Sequence, residues 1–101
     1  MPKPETCRLT GRLFDFTGQP FTGPLSLTLT RSAVDADSGF ILAVTDRTIT
    51  PDETGLIDVN VWPTARADRP TFYELTADRF RLKLAIPDQP AVDLLAAVVD
   101  D

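Results

Sequence analysis

The sequence contains no histidine. Histidine is the commonest general base and a frequent metal ligand, and it is the usual partner of a serine or cysteine nucleophile. Its absence excludes the serine and cysteine hydrolase triads. The 15 acidic residues form no recognisable catalytic pair, and most fall in predicted turns, where aspartate serves as a capping residue. We therefore expect a protein that is not an enzyme, with no catalytic residue and no cofactor.

Cysteine and long apolar runs are also scarce. The single cysteine, Cys7, cannot form a disulfide within the chain, and its place in an apolar alternation indicates a small buried hydrophobe. No stretch approaches the ~20 consecutive apolar residues of a membrane span, and no apolar run follows Lys3 as it would in a signal peptide. These observations predict synthesis in a cytoplasm and no membrane partner.

Charge of one sign predominates, with a formal net charge of −5. Such a chain repels nucleic acid at long range, so we expect no nucleic-acid partner. The basic residues are nevertheless concentrated in one region. Two interpretations remain open, namely solvated strand faces or a basic patch that docks an acidic neighbour. The residues concerned are Arg66, Arg69, Arg79, Arg81 and Lys83.

Alternation of apolar and polar residues predicts strands along most of the chain. It is clearest over residues 25–31, and it is also present over residues 7–14, 56–62 and 80–86. Residues 71–76 and 80–86 are predicted to form a hairpin. With 101 residues available for one core, the pattern predicts a single all-β domain over residues 1–101. We expect an immunoglobulin-like or transthyretin-like sandwich of about seven strands.

Other segments give more specific expectations. Gly11 interrupts an inward-facing row, which marks a bulge or a close approach of another backbone. Residues 40–44 form a continuous apolar run that should be buried, followed by an exposed extension over 45–50, as one long strand or two short ones. Residues 51–55 predict a tight turn between paired strands.

The C-terminal region changes period after Pro90. Apolar residues recur at helical spacing over 91–98, and Asp88 is a suitable N-cap, so we predict a short C-terminal helix. Residues 92–99 are apolar enough for an edge strand instead.

Aromatic residues supply the candidate binding groups. Trp62, Phe72 and Tyr73 form an exposed platform for a sugar ring or a protein interface, or else they pack at the sandwich edge. Three phenylalanines over residues 14–21 either plug one end of the core or form a contact surface. Residues 35–39 echo the start of a calcium loop but lack its closing glutamate, so no metal site is expected.

Two turns carry a family resemblance. Residues 10–25 contain Thr10, Gly11, Asp15, Gly18 and Pro20 in the order that opens many small β-sandwiches, and a second Asp-x-x-Gly turn follows at 52–55. The chain resembles the sandwich class of carboxypeptidase-regulatory-like and transthyretin-like modules. Within that class it is similar to the head or adaptor domains of tail-fibre and baseplate-appendage proteins of tailed bacteriophages.

The resemblance implies a non-enzymatic structural subunit of a tailed phage virion, made in the host cytoplasm. Such an adaptor would dock tail-fibre, baseplate or tail components, in multiple copies within a symmetric assembly. The alternative is a carbohydrate-binding or adhesion module, for which Trp62, Phe72 and Tyr73 would form the sugar platform. The residues expected to bind a partner are Phe16, Phe21, Trp62, Arg66, Arg69 and Tyr73.

Overall fold

The computed structural model describes residues 6–77 and 80–99. Within this part of the chain there are nine strands, a 3-10 helix at Thr64–Arg66 and one short α-helix, α1, at Leu94–Ala97. The strands are β1 Cys7–Arg12, β2 Leu25–Leu29, β3 Ala33–Val34, β4 Ile41–Leu42, β5 Asp46–Ile49, β6 Leu56–Val61, β7 Tyr73–Ala77, β8 Phe80–Leu84 and β9 Ala91–Asp93.

Seven of these strands form two main sheets. One sheet has the order β6-β1-β9 and the other has the order β5-β2-β7-β8, while β3 and β4 pair separately. The predicted all-β sandwich with a short C-terminal helix is therefore confirmed. The predicted hairpin is confirmed as β7 and β8, which pair antiparallel, with its link at residues 78–79 lying outside the described residues. Arg79 of the predicted basic cluster lies outside them too.

The core lies between the two main sheets. Leu9 of β1 and Ile57 of β6 face Leu27 of β2 and Leu75 of β7, and all four are buried in one cluster. Burial alternates along β2 and β6, as period-2 side-chain placement requires. Each fully buried leucine or isoleucine contributes roughly 1.5–3 kcal/mol of transfer free energy.

The C-terminal segment connects both sheets. Strand β9 pairs parallel with β1, Asp93 then caps α1 by accepting a hydrogen bond from the Leu95 backbone N–H, and Val98 forms a bridge with Leu84 of β8. The segment therefore contains an edge strand over residues 91–93 and a helix over residues 94–97, so each of the two interpretations holds for part of it. The predicted N-cap at Asp88 was wrong, because pairing with β1 keeps residues 91–93 extended and delays the helix start to Leu94.

Gly11 lies beneath this helix. A Cβ at Gly11 would clash with the side chain of Leu94. A bulge or the close approach of another backbone was predicted here; the group that approaches Gly11 is instead the side chain of Leu94.

The segment from residue 32 to residue 55 departs most from expectation. Two short strands, β4 and β5, are present, but the predicted burial was wrong, because Ile41 is 78% exposed and Val44 is 50% exposed. Strand β4 pairs with β3 outside the two main sheets and packs Leu42 against the small cluster of Leu29, Ala33 and Trp62, whereas Ile49 at the end of β5 is buried in the main cluster. The 52–55 turn is present but joins strands of different sheets, not paired strands.

Candidate partner-binding surfaces

Two turns of identical chemistry support one end of the sandwich. At Asp52, one carboxylate oxygen, Oδ1, accepts hydrogen bonds from the Thr54 backbone N–H at 2.8 Å, the Thr54 hydroxyl at 2.6 Å and the Leu56 backbone N–H at 3.1 Å. Asp15 accepts the equivalent bonds from Thr17 and Gln19. Because these bonds favour the ionised form, led by the threonine hydroxyls, the pKa of each aspartate is lowered.

The two turns are brought together by Leu13. Its N–H donates to the Gly55 carbonyl at 2.9 Å, and its carbonyl accepts from the Phe21 N–H at 2.9 Å. Gly55 has a φ of 81°, and a Cβ there would clash with the Leu13 carbonyl oxygen. We call residues 13–21 and 52–55 the turn end of the molecule.

Phenylalanines flank an open groove at the turn end. Phe16 is fully exposed and Phe14 is 56% exposed. The groove has a volume of about 950 Å³. Its floor includes Phe21 and Phe80, whose rings stack with centroids 6.1 Å apart. We call this surface, lined by Phe14, Phe16, Phe21, Pro24, Leu25 and Phe80, the phenylalanine groove.

The phenylalanines of residues 14–21 were expected either to plug one end of the core or to form a contact surface, and the structure gives a different answer for different residues. Phe21 is half-buried and packs against the core, whereas Phe14 and Phe16 project into solvent. Phe16 and Phe21, two of the predicted partner-binding residues, therefore lie on one surface. Phe80 was not among the predicted residues, because only tertiary pairing of β7 with β8 carries it to this end.

The opposite end contains a buried polar network around Asp35. The indole Nε1 of Trp62 donates to Asp35 Oδ2 at 2.8 Å, and the Arg66 Nε donates to the same oxygen at 2.9 Å. The other oxygen accepts from Arg66 Nη2 at 3.2 Å and from the backbone N–H groups of Asp37 and Ser38. The Arg66 guanidinium above all holds the pKa of the fully buried Asp35 carboxyl far below its usual range.

Trp62 is therefore not an exposed platform. It is 5% exposed and packs with Leu29 and Ala33 in a second small cluster. The interpretation of Trp62 as an exposed aromatic was wrong, because the residue follows the last residue of β6 and no longer obeys its alternation. Its polar N–H tolerates burial because Asp35, distant in sequence, supplies an acceptor.

Arg66 and Tyr73 belong to the same end. Arg66 also pairs with Asp37 at 3.2 Å and with Asp88 at 3.5 Å, and its side chain is 11% exposed. The Tyr73 hydroxyl donates to the Trp62 carbonyl at 2.9 Å, and burial raises the pKa of Tyr73 to about 12. Arg66 was expected to bind a partner; the structure shows its guanidinium paired within the Asp35 network, and partner binding by Arg66 stays a prediction.

The remaining predicted residues lie apart from this network. Arg69 is exposed, with its Nε 3.8 Å from the Asp68 carboxylate. Phe72 is half-buried, and the Lys83 ammonium lies 4.3 Å from its ring centroid. Trp62, Phe72 and Tyr73 consequently do not form one open stacking surface.

The described residues hold no group of three or more histidine, cysteine, aspartate or glutamate side chains placed to bind a metal ion. Over the same residues, no helix has the length and apolar character needed to cross a membrane. Asp35, which echoes a calcium-loop aspartate, instead pairs with Arg66.

Comparison of the sequence with protein-family models and with curated proteins gives no match. The class of the protein is defined by its fold, an all-β sandwich with an exposed phenylalanine groove at its turn end.

Proposed function

We propose that this protein is a non-enzymatic assembly subunit of a tailed phage virion, an adaptor that docks tail-fibre, baseplate or tail proteins. The sandwich fold and the paired Asp-x-Thr-Gly turns agree with the resemblance to phage head and adaptor domains. The observation that carries the proposal is Phe16, a fully exposed aromatic ring held at the tip of an ordered turn beside an apolar groove.

The phenylalanine groove has the properties of an interface anchor. Aromatic side chains bury about 150–250 Å² each and dominate interface energetics. The hydrogen bonds to Asp15 fix the turn that carries Phe16, so little conformational entropy is lost when a partner covers the ring. The proposed occupant is an apolar segment of a neighbouring tail protein, in an assembly of several copies.

The test is recovery of virion proteins by the tagged protein from a lysate of its native source, identified by mass spectrometry. Wild type should retain tail or baseplate proteins in a constant ratio, and Phe16→Ser should lose them. Leu95→Ser is the matched control, because Leu95 is an apolar residue of α1 that is 83% exposed and is not part of the groove.

Unchanged urea midpoints for both variants would show that the loss is one of binding. Recovery of polysaccharide without virion proteins would overturn the proposal and favour the adhesion module. If wild type and Phe16→Ser recover equal amounts of virion proteins, the phenylalanine groove is not part of the interface.

A further inference from the structure

A second concave surface lies on the outer face of the four-stranded sheet. It has a volume of about 400 Å³ and is lined by Arg31, Phe72, Glu74, Arg81 and Lys83 among others. We call this surface the basic cavity. It is distinct from the phenylalanine groove, since the two share no lining residue.

Strand register explains why these side chains share a face. Glu74 of β7 is opposite Lys83 of β8, and Arg81 is opposite Thr76. Partners across an antiparallel pair project to the same side of the sheet. Because Leu75 and Leu84 face the core, their neighbours in sequence face outward, and Phe72 and Arg31 lie at the ends of β7 and β2.

The charge of the cavity opposes that of the whole chain. Three cations and one carboxylate line it, although the formal net charge of the protein is −5. Arg8, Arg66 and Arg69 each pair with an aspartate. By contrast, among the residues described, neither Arg31 nor Arg81 forms an ion pair with a carboxylate.

We propose that the basic cavity binds an acidic segment of a partner protein. The guanidinium groups of Arg31 and Arg81 supply paired N–H donors that match the geometry of carboxylates. Phe72, with the Lys83 ammonium against its ring, forms an apolar wall beside them. This property belongs to the sandwich itself and does not depend on the assembly role proposed above.

The cavity favours a peptide over an acidic polysaccharide. Sugar rings are bound by stacking on open aromatic faces, and Trp62 is buried while Tyr73 is half-buried with its hydroxyl bonded to Trp62. Phe72, the aromatic residue in the cavity, already has Lys83 placed over its ring.

The test is a fluorescence-anisotropy titration with a labelled oligo-glutamate peptide, and with an oligo-glutamine peptide of equal length for comparison. Wild type should bind the glutamate peptide, and binding should weaken as salt is added. Arg81→Glu or Arg31→Glu should weaken it by about tenfold or more, as expected for loss of a charge-assisted contact. Phe16→Ser should bind the peptide like wild type.

Arg12→Glu is the matched control, since Arg12 is exposed on β1 of the other sheet and its reversal changes the net charge equally. This variant should retain wild-type affinity. Equal losses in Arg12→Glu and Arg81→Glu would overturn the proposal, because overall charge would then explain the binding. Failure to bind at low salt, or tighter binding of a sulfated oligosaccharide of equal charge, would also overturn it.

Discussion

At the scale of single residues, Asp35 illustrates how a buried charge is made tolerable. A carboxylate removed from water is costly unless its oxygens are paired and hydrogen-bonded. Asp35 is fully buried, and its donors come from Trp62, Arg66 and the backbone of residues 37 and 38. The network thereby ties the 35–38 turn to the segment that follows β6.

Asp35→Asn should lower the free energy of unfolding by about 3 kcal/mol, since Arg66 loses the charged partner of a largely buried pair. The pKa of Asp35 is depressed in the folded state, so its contribution to stability is fully present above the ordinary aspartate pKa near 4 and is lost progressively as pH falls from there through the lowered folded-state pKa. Urea unfolding at neutral and acid pH should show that the deficit of Asp35→Asn shrinks on acidification.

Asp58→Asn is the control for this measurement. Asp58 pairs with Arg8 on the surface, where the side chains are 40% and 61% exposed, and such pairs contribute little. We expect a free energy of unfolding close to that of wild type. If the Asp35 and Asp58 variants lose equal stability, the Asp35 network does not stabilise the fold as described.

At the scale of elements, the two Asp-x-Thr-Gly turns differ in their surroundings. Gly18 and Gly55 both have positive φ, at 89° and 81°. Nothing lies within 4 Å of a Cβ built at Gly18, whereas one at Gly55 would meet the Leu13 carbonyl oxygen. The same local conformation is therefore surface-exposed in one turn and tightly packed in the other.

This difference predicts unequal effects of the same substitution. Gly18→Ala should cost about 1–2 kcal/mol, the penalty for placing a side chain in left-handed backbone. Gly55→Ala should lower the free energy of unfolding by more, because the backbone at Leu13, just after β1, must also move to make room for the new Cβ. Urea unfolding of the two variants measures the difference, and equal losses would show that the Leu13 carbonyl gives way without cost.

Structural features that neighbouring residues determine could be predicted from the sequence, and features that depend on distant contacts could not. The alternation of β2 and the glycine turn at 52–55 follow from neighbouring residues and were predicted. The exposure of Ile41 depends on the pairing of β4 with β3 outside the main sheets, which no local pattern specifies. The burial of Trp62 likewise depends on an acceptor 27 positions away in the chain. Only part of the phenylalanine groove was predicted: Phe16 and Phe21 were expected to bind a partner, whereas Phe80 reaches the groove through the pairing of β7 with β8.

At the scale of the whole molecule, Tyr73 packs against both buried clusters, and this shared contact predicts that they unfold together. Cys7, the only cysteine, is 0% exposed in the main cluster, and burial raises the pKa of its thiol. Trp62, the only tryptophan, lies in the second cluster. Cys7 therefore reports on the main cluster, and Trp62 reports on the second cluster.

Thiol labelling of Cys7 across a urea titration should follow the same transition as Trp62 fluorescence, because exposing either residue requires the sheets to separate. Far-ultraviolet circular dichroism gives an independent transition for comparison. Labelling at urea concentrations where fluorescence is still native would instead show that β1 opens locally.

The parallel pairing of β1 with β9 has a mechanical consequence. Tension between the chain before Cys7 and the chain after Asp93 would slide these two neighbouring strands along their length. Their cross-strand hydrogen bonds would then resist together, whereas the bonds of an antiparallel hairpin such as β7–β8 break one after another when its ends are pulled apart. The β1–β9 pairing should thus resist such tension until its hydrogen bonds break together.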